Sequence, residues 1–315
     1  MTERTGGSAQ GTRWGTAAGL TLAVVLLSAV ASLPLVLVPL ALIMLSVTVD
    51  HRWRWIIAGA ALGAIGLSFS GGPLGEVSRG WSLLLGGAFV LVAAWRPGWG
   101  VLSRALVALA VAALIAGLWI GVSGDWQALD TLVREQLVAM SERTFDAARM
   151  RSPDSPWIAE LGAAARQMAL LQANLFPGLL ALQSLAALGL ASWLIARFRR
   201  QDGDPFEVRP WREFRFNDQL VWLLIGGLAL VLLPVGAIAT RLGYNAMVFM
   251  AAMYALRGIG VFLFLSVGAS SLLMIVFATL AAIFLYPLIL GAAILVGLGD
   301  TWLDVRGRAA AASRS

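Results

Sequence analysis

The chain of 315 residues contains no cysteine and a single histidine, His51, and all 23 of its basic residues are arginine. Without cysteine there is no disulfide, no thiolate metal site and no cysteine nucleophile. Without lysine a Walker phosphate loop cannot be completed, because that loop needs the lysine ammonium. One histidine cannot assemble a zinc site of ordinary composition, and no HExxH run occurs. No enzymatic constellation, metal or cofactor is therefore expected. Charge is scarce as well: 13% of residues are charged, 59% are hydrophobic, and mean hydropathy is +0.83. Soluble domains carry about 25% charged residues. A surface this poor in charge suits lipid rather than water.

What is present in quantity is uninterrupted apolar sequence. Residues 258–299 hold no charge, and as a helix these about 42 residues would extend about 63 Å. A bilayer core is about 30 Å thick, so this run must enter or cross it at least twice. Comparable runs recur, which predicts an all-α, polytopic transmembrane helical bundle of about 8–10 membrane helices. The pI of 11.0 does not point to nucleic acid. The arginines cluster between apolar runs, where they orient helices instead of gripping phosphates. The first partner implied is the lipid bilayer.

Three regions are expected: N-terminal membrane helices over 1–123, an amphipathic segment over 124–172, and C-terminal membrane helices over 173–315. The last includes an arginine-rich loop at 197–218. Apolar periodicity and punctuation by proline, glycine and arginine predict helices at about 15–33, 35–49, 54–70, 80–95 and 102–123. Further on they predict helices up to Arg197 and at about 219–240, 244–266, 270–286 and 288–303. Ala29-Val30-Ala31 resembles a signal-peptidase site, but the apolar sequence continues directly behind it, so a retained helix is expected. Gly71-Gly72-Pro73-Leu74-Gly75 reads as a turn.

Between residues 124 and 172 the character changes. Trp126, Leu129, Val133, Leu137 and Met140 recur at helical spacing among charges. Trp157, Leu161, Ala165, Met168 and Leu171 repeat the pattern after Pro153 and Pro156. Two amphipathic helices in a hairpin follow. They either pack on each other or lie on the bilayer surface. Arginine-rich short loops stay cytoplasmic. Ten passes place every basic turn and both termini on that side of a bacterial inner membrane, with the hairpin outside.

The motifs discriminate little. Gly121-Val122-Ser123-Gly124 matches the GxSG of rhomboid-type proteases, but His51 precedes the serine and falls at the opposite face, so a glycine turn is expected. Small-xxx-small spacings at Gly15/Gly19/Ala23, Gly59/Gly63 and Gly117/Gly121 report helix packing. The informative charge is Arg257, near the middle of the 244–266 helix and on one face with Met247, Met250, Tyr254 and Val261. A charge at the bilayer centre costs at least about 2.5–3.5 kcal/mol. Asn245, Tyr254 and Arg257 are thus candidate ligand-binding residues, against an arginine that snorkels to the interface. Asp300, Asp304 and Arg308 fall at i,i+4 spacing. They form a candidate partner-contact patch, an interfacial helix end, or a partner for an arginine of the 197–215 loop.

Leu256-Arg257-Gly258, then Phe284-Leu285-Tyr286-Pro287, then the run from Gly299 to Arg306 resemble the YybS-like family of bacterial membrane proteins, most clearly over 215–308. Where that resemblance leads to a neutral glutamine, this chain has Arg257. The resemblance implies a helical membrane fold without a settled activity. It is similar more distantly to substrate-binding subunits of energy-coupling-factor transporters and to the cell-shape protein MreD. The leading expectation is a small-molecule binding or permease-like subunit that needs a partner. The alternative is a scaffold or docking protein for envelope or division machinery, with a membrane or cytoplasmic protein as partner.

Overall fold

The computed structural model describes residues 33–47, 72–151, 156–199, 210–266 and 285–312. Among these the backbone forms ten α-helices and no strand. In chain order they are α1 (Leu33–Val47), α2 (Gly72–Trp95), α3 (Val101–Ser123), α4 (Trp126–Arg151), α5 (Pro156–Asn174) and α6 (Phe176–Arg199). After them come α7 (Val221–Leu232), α8 (Ala237–Leu265), α9 (Tyr286–Leu303) and α10 (Val305–Ala312). Two 3-10 turns, Trp211–Glu213 and Asp218–Leu220, precede α7. Four helices are long and apolar enough to span a bilayer: α2, α3, α6 and α8. With the shorter apolar helices at 35–44, 218–232 and 287–303, the chain is a multi-pass helical membrane protein. The predicted helices at 15–33, 54–70 and 270–286, the candidate signal-peptidase site and His51 lie outside the described residues.

The contacts divide the chain into two units. The first comprises 1–123 and 183–206, the second 124–182 and 207–315. In the first unit α2 packs against both α1 and α3. A Cβ on Gly86 of α2 would stand 3.1 Å from the Pro39 Cα and 2.8 Å from Leu42, so the missing side chain lets α1 approach. Val38, Ile43, Leu85, Phe89, Ala108 and Leu188 are buried there, and the Trp81 indole donates to the Ser184 hydroxyl at 2.9 Å. Leu114, Leu118, Trp119 and Val122 of α3 stay exposed, as lipid-facing side chains do.

In the second unit α8 is the central element, packed against α7, α9 and the first 3-10 turn. Glycine governs two of these crossings. A Cβ on Gly258 would overlap the Ala293 carbonyl, and one on Gly297 would overlap the Tyr254 carbonyl. A Cβ on Gly243 would stand 2.6 Å from the Gly227 carbonyl oxygen of α7. These backbones touch directly, which is the small-residue packing available to helices in lipid. By contrast, a Cβ on Gly117 meets nothing within 4 Å. Among the described residues Gly117 makes no such contact; the other two expected stripes lie outside the described residues.

Several boundaries differ from the sequence expectations for identifiable reasons. The Gly71–Gly75 turn is not a turn throughout: α2 begins at Gly72, with Pro73 in its first turn, where a missing N–H costs nothing. The predicted helix at 219–240 stops at Leu232. Pro234 follows, and Gly236 adopts φ 98°, a conformation that favours glycine. The next helix then starts at Ala237 and ends at Leu265. Arg257 lies about 12 Å from the C-terminal end of α8, and the earlier start leaves it past the middle of a longer helix. As expected, α3 closes on a glycine turn, with Gly124 at φ 76°, and the Ser123 hydroxyl bonds the Ile120 carbonyl at 3.1 Å.

The hairpin forms, and the apolar stripe of α5 faces outward. In α5 the buried residues are Ile158, Gly162, Ala169 and Ala173. Trp157, Leu161, Met168 and Leu171 of the stripe are 62%, 48%, 54% and 51% exposed, so of the two expectations the packing of this stripe on the neighbouring helix is not what is seen. Small side chains allow close helix approach, so they take the contact with α4 and turn the large ones outward.

Candidate functional site

Two polar nodes lie along α8. The first follows from Pro177. Proline has no N–H to give the carbonyl four residues back, so the Ala173 carbonyl is released at the start of α6. Gly178 N–H also turns away from its helical acceptor and donates to the Asn245 Oδ1 at 2.7 Å. The freed carbonyls of Ala173 and Asn174 are both recovered by α8. Arg241 donates to Ala173 O at 3.0 Å and to Asn174 O at 3.1 Å. Asn245 Nδ2 donates to Asn174 O at 2.9 Å and to Arg241 O at 2.8 Å. Asp130 of α4 accepts from Arg241 at 2.6 Å and completes the node. Asn245 is therefore spent as a helix-end bond. Asn245→Ala is expected to cost about 1–3 kcal/mol, the range for leaving buried polar groups unsatisfied, measured as thermal unfolding in detergent.

The second node lies three turns further along and gathers four elements around Asp300. Arg257 of α8 is 3% exposed and Asp300 of α9 fully buried. Arg257 Nε donates to Asp300 Oδ2 at 3.0 Å, its NH2 to the Asp300 carbonyl at 3.2 Å, and its NH1 to Asp218 Oδ1 at 2.6 Å. Every nitrogen of the fork is occupied. Arg306 of α10 donates to the same Asp300 Oδ2 at 2.7 Å. Its other terminal nitrogen donates to the carbonyls of Arg212 and Phe214 at 3.1 and 3.0 Å. Two guanidinium groups thus face two carboxylates. Burying charges costs several kcal/mol per ion unless geometry and extra hydrogen bonds compensate; this cluster has both balance and multiple bonds.

Aromatic packing holds the same segment. Phe216 lies with its ring 5.5 Å from the Arg257 guanidinium carbon and 5.2 Å, edge-on, from the Tyr254 ring. Phe214 contacts Phe216, and Trp211 stacks on Phe214, both at 6.4 Å. A Cβ on Gly260 would come 2.8 Å from the Trp211 carbonyl, so glycine there seats the first 3-10 turn on α8. Residues 211–218 form a strap clamped across α8, α9 and α10 by charge and aromatic contact together.

The candidate ligand residues separate accordingly. Asn245 lies about 18 Å along the helix from Arg257, in the other node. Tyr254 and Arg257 share Phe216 between them. Three buried atoms at this node have no hydrogen-bond partner among the described residues: Asp300 Oδ1, Arg306 Nε and the Tyr254 hydroxyl. The candidate contact patch also separates. Asp300 is interior, and the helix breaks at Asp304, which takes φ 40°, so the i,i+4 face through Arg308 is interrupted. Asp304 instead accepts from Arg215 of the strap at 2.7 Å, and Arg308 is exposed. Arg215–Asp304 is half-exposed, and Arg215→Ala is expected to change stability by less than about 1 kcal/mol.

Sequence reasoning missed Asp130, Phe216, Asp218, Arg241 and Arg306. One signal was available. Between Asp218 and Asp300 the sequence holds only two charges, Arg241 and Arg257, and these are the arginines that anchor the two nodes.

The comparisons agree with this architecture. The family described as "Predicted membrane protein (DUF2232)" matches residues 16–301, so the chain belongs to that family. No curated protein and no solved structure matches it.

Proposed function

We propose that this member of the DUF2232 family is a docking or scaffold protein of the bacterial cytoplasmic membrane, without catalytic activity of its own. The observation that supports this reading most is the saturation of Arg257. The charge best placed to hold a ligand is spent on Asp218, Asp300 and an aromatic lid. Outside the helices long enough to span a bilayer, α5 carries an apolar display in which Trp157, Leu161, Met168 and Leu171 form an outward stripe. Both termini are placed in the cytoplasm and the hairpin outside, on the arginine bias of the short loops. Thiols introduced by Met140→Cys and Trp211→Cys, both exposed positions, test that orientation. An impermeant reagent on intact cells should label the first and spare the second; the converse would invert the topology.

A second reading, a small-molecule binding or permease-like subunit that needs a partner, draws on the unpartnered Asp300 Oδ1 and Tyr254 hydroxyl. The resemblances to the YybS-like family, energy-coupling-factor subunits and MreD are fold-level analogy and accommodate both. Complementation of a deletion strain separates them. Docking predicts that Leu161→Glu with Met168→Glu abolishes the phenotype at normal membrane levels, while Arg257→Lys, which keeps the charge, preserves it. Full activity of the stripe variant together with loss in Arg257→Lys would replace docking with ligand binding.

A further inference from the structure

The hairpin carries an opening of its own. A cleft of about 500 Å³ runs between α4 and α5, within the about 300–1,000 Å³ usual for small-molecule sites. Arg149 enters from α4 and Arg166 from α5. Room for the first is made by Gly162, where a Cβ would stand 2.8 Å from Arg149 NH2 and 3.8 Å from the Phe145 ring. A side chain there would make the flexible end of Arg149 shift.

Each arginine is paired, but loosely. Arg149 stands 3.6 Å from Asp146, and Arg166 stands 3.8 Å from Glu142. Both are ion pairs longer than a hydrogen bond, between half-exposed side chains that a stronger oxyanion partner can draw away. The Ser141 hydroxyl at the same cleft is out of solvent contact and has no partner. Gln167 adds an amide, and Phe145 and Leu170 give an apolar wall. The two arginines are matched in number by Asp146 and Glu142, so the site's pull on an anion rests on the geometry of the forks and not on an excess of charge.

We infer that this cleft binds a small amphiphilic anion, a carboxylate or phosphate oxyanion carried on an apolar chain. Planar guanidinium forks match such oxyanions through paired N–H bonds. Gln167 supplies a further donor, and the apolar wall takes the chain. That chemistry reaches the hairpin either as a membrane lipid headgroup or as a free amphiphile. The inference is independent of the docking reading, since the cleft and the Trp157–Leu171 stripe occupy opposite faces of α5.

Native mass spectrometry of the whole chain tests it, with decanoate as the soluble probe and nanodiscs of phosphatidylcholine with or without phosphatidylglycerol. Wild-type protein should take up one equivalent of decanoate. The paired variant Arg149→Gln with Arg166→Gln should weaken uptake at least tenfold. Gly162→Leu keeps both arginines but fills the cleft. It should lose uptake too while circular dichroism shows unchanged helix content, which separates binding from folding. Displacement of decanoate by phosphatidylglycerol assigns the site to a lipid headgroup; its persistence assigns it to a free amphiphile. Absence of any saturable adduct, or equal uptake by the arginine variant, overturns the inference.

Discussion

Asp300→Asn is expected to be among the most damaging single substitutions, lowering stability by about 3–5 kcal/mol, the range for breaking a buried ion pair. One carboxylate oxygen accepts from both Arg257 and Arg306. An amide in its place leaves two buried guanidinium groups against a single carboxylate, Asp218, which is itself 59% exposed. Arg257→Leu should cost less, because Asp300 would keep its bond to Arg306. Asp218→Asn should cost least, about 1 kcal/mol, since solvent solvates that end of the network. The ordering Asp300, Arg257, Asp218 is checked by thermal unfolding of each variant in one detergent. A reversed order would show that the cluster does not centre on Asp300.

Gly258→Ala and Gly297→Ala are expected to destabilise at or above the upper end of the about 1–3 kcal/mol typical of overpacking. The obstacle at each position is a backbone carbonyl on the facing helix. A carbonyl has no rotamer to yield, so α8 and α9 must separate. Separation also draws Asp300, one turn beyond Gly297, away from Arg257. Either alanine combined with Asp300→Asn should therefore cost less than the sum of the two, because contacting sites are not additive. Gly117→Ala is the control: nothing opposes a methyl there, and glycine is about 1 kcal/mol worse than alanine in a helix. It should be neutral or mildly stabilising.

The helical membrane class was legible from the uncharged runs alone, and so was Arg257, because an arginine deep in apolar sequence demands compensation. Its partners were not legible. Asp218 and Asp300 lie outside the helix, 39 and 43 residues away in sequence, and spacing rules reach only one or two turns. Asn245 stood out as a polar residue in an apolar helix, but its hydrogen bonds depend on the carbonyls freed around Pro177 on a different helix. In the hairpin periodicity found both helices but left open whether the apolar stripe packs or faces the bilayer surface, because the packed side of α5 is marked by Gly162, Ala169 and Ala173 rather than by its large residues.

The account turns on the strap being closed over Arg257, and hydrogen–deuterium exchange reads this directly. Within and just beyond the strap the amides of Glu213, Phe214, Gln219 and Leu220 are hydrogen-bonded. In wild-type protein they should exchange slowly, and Asp300→Asn should speed all four by at least tenfold, with the Asn245 node unaffected. Fast exchange over 211–220 in the wild type, unchanged by Asp300→Asn, would mean that the strap stands open and that Arg257 is free for a ligand, contrary to the structure described above.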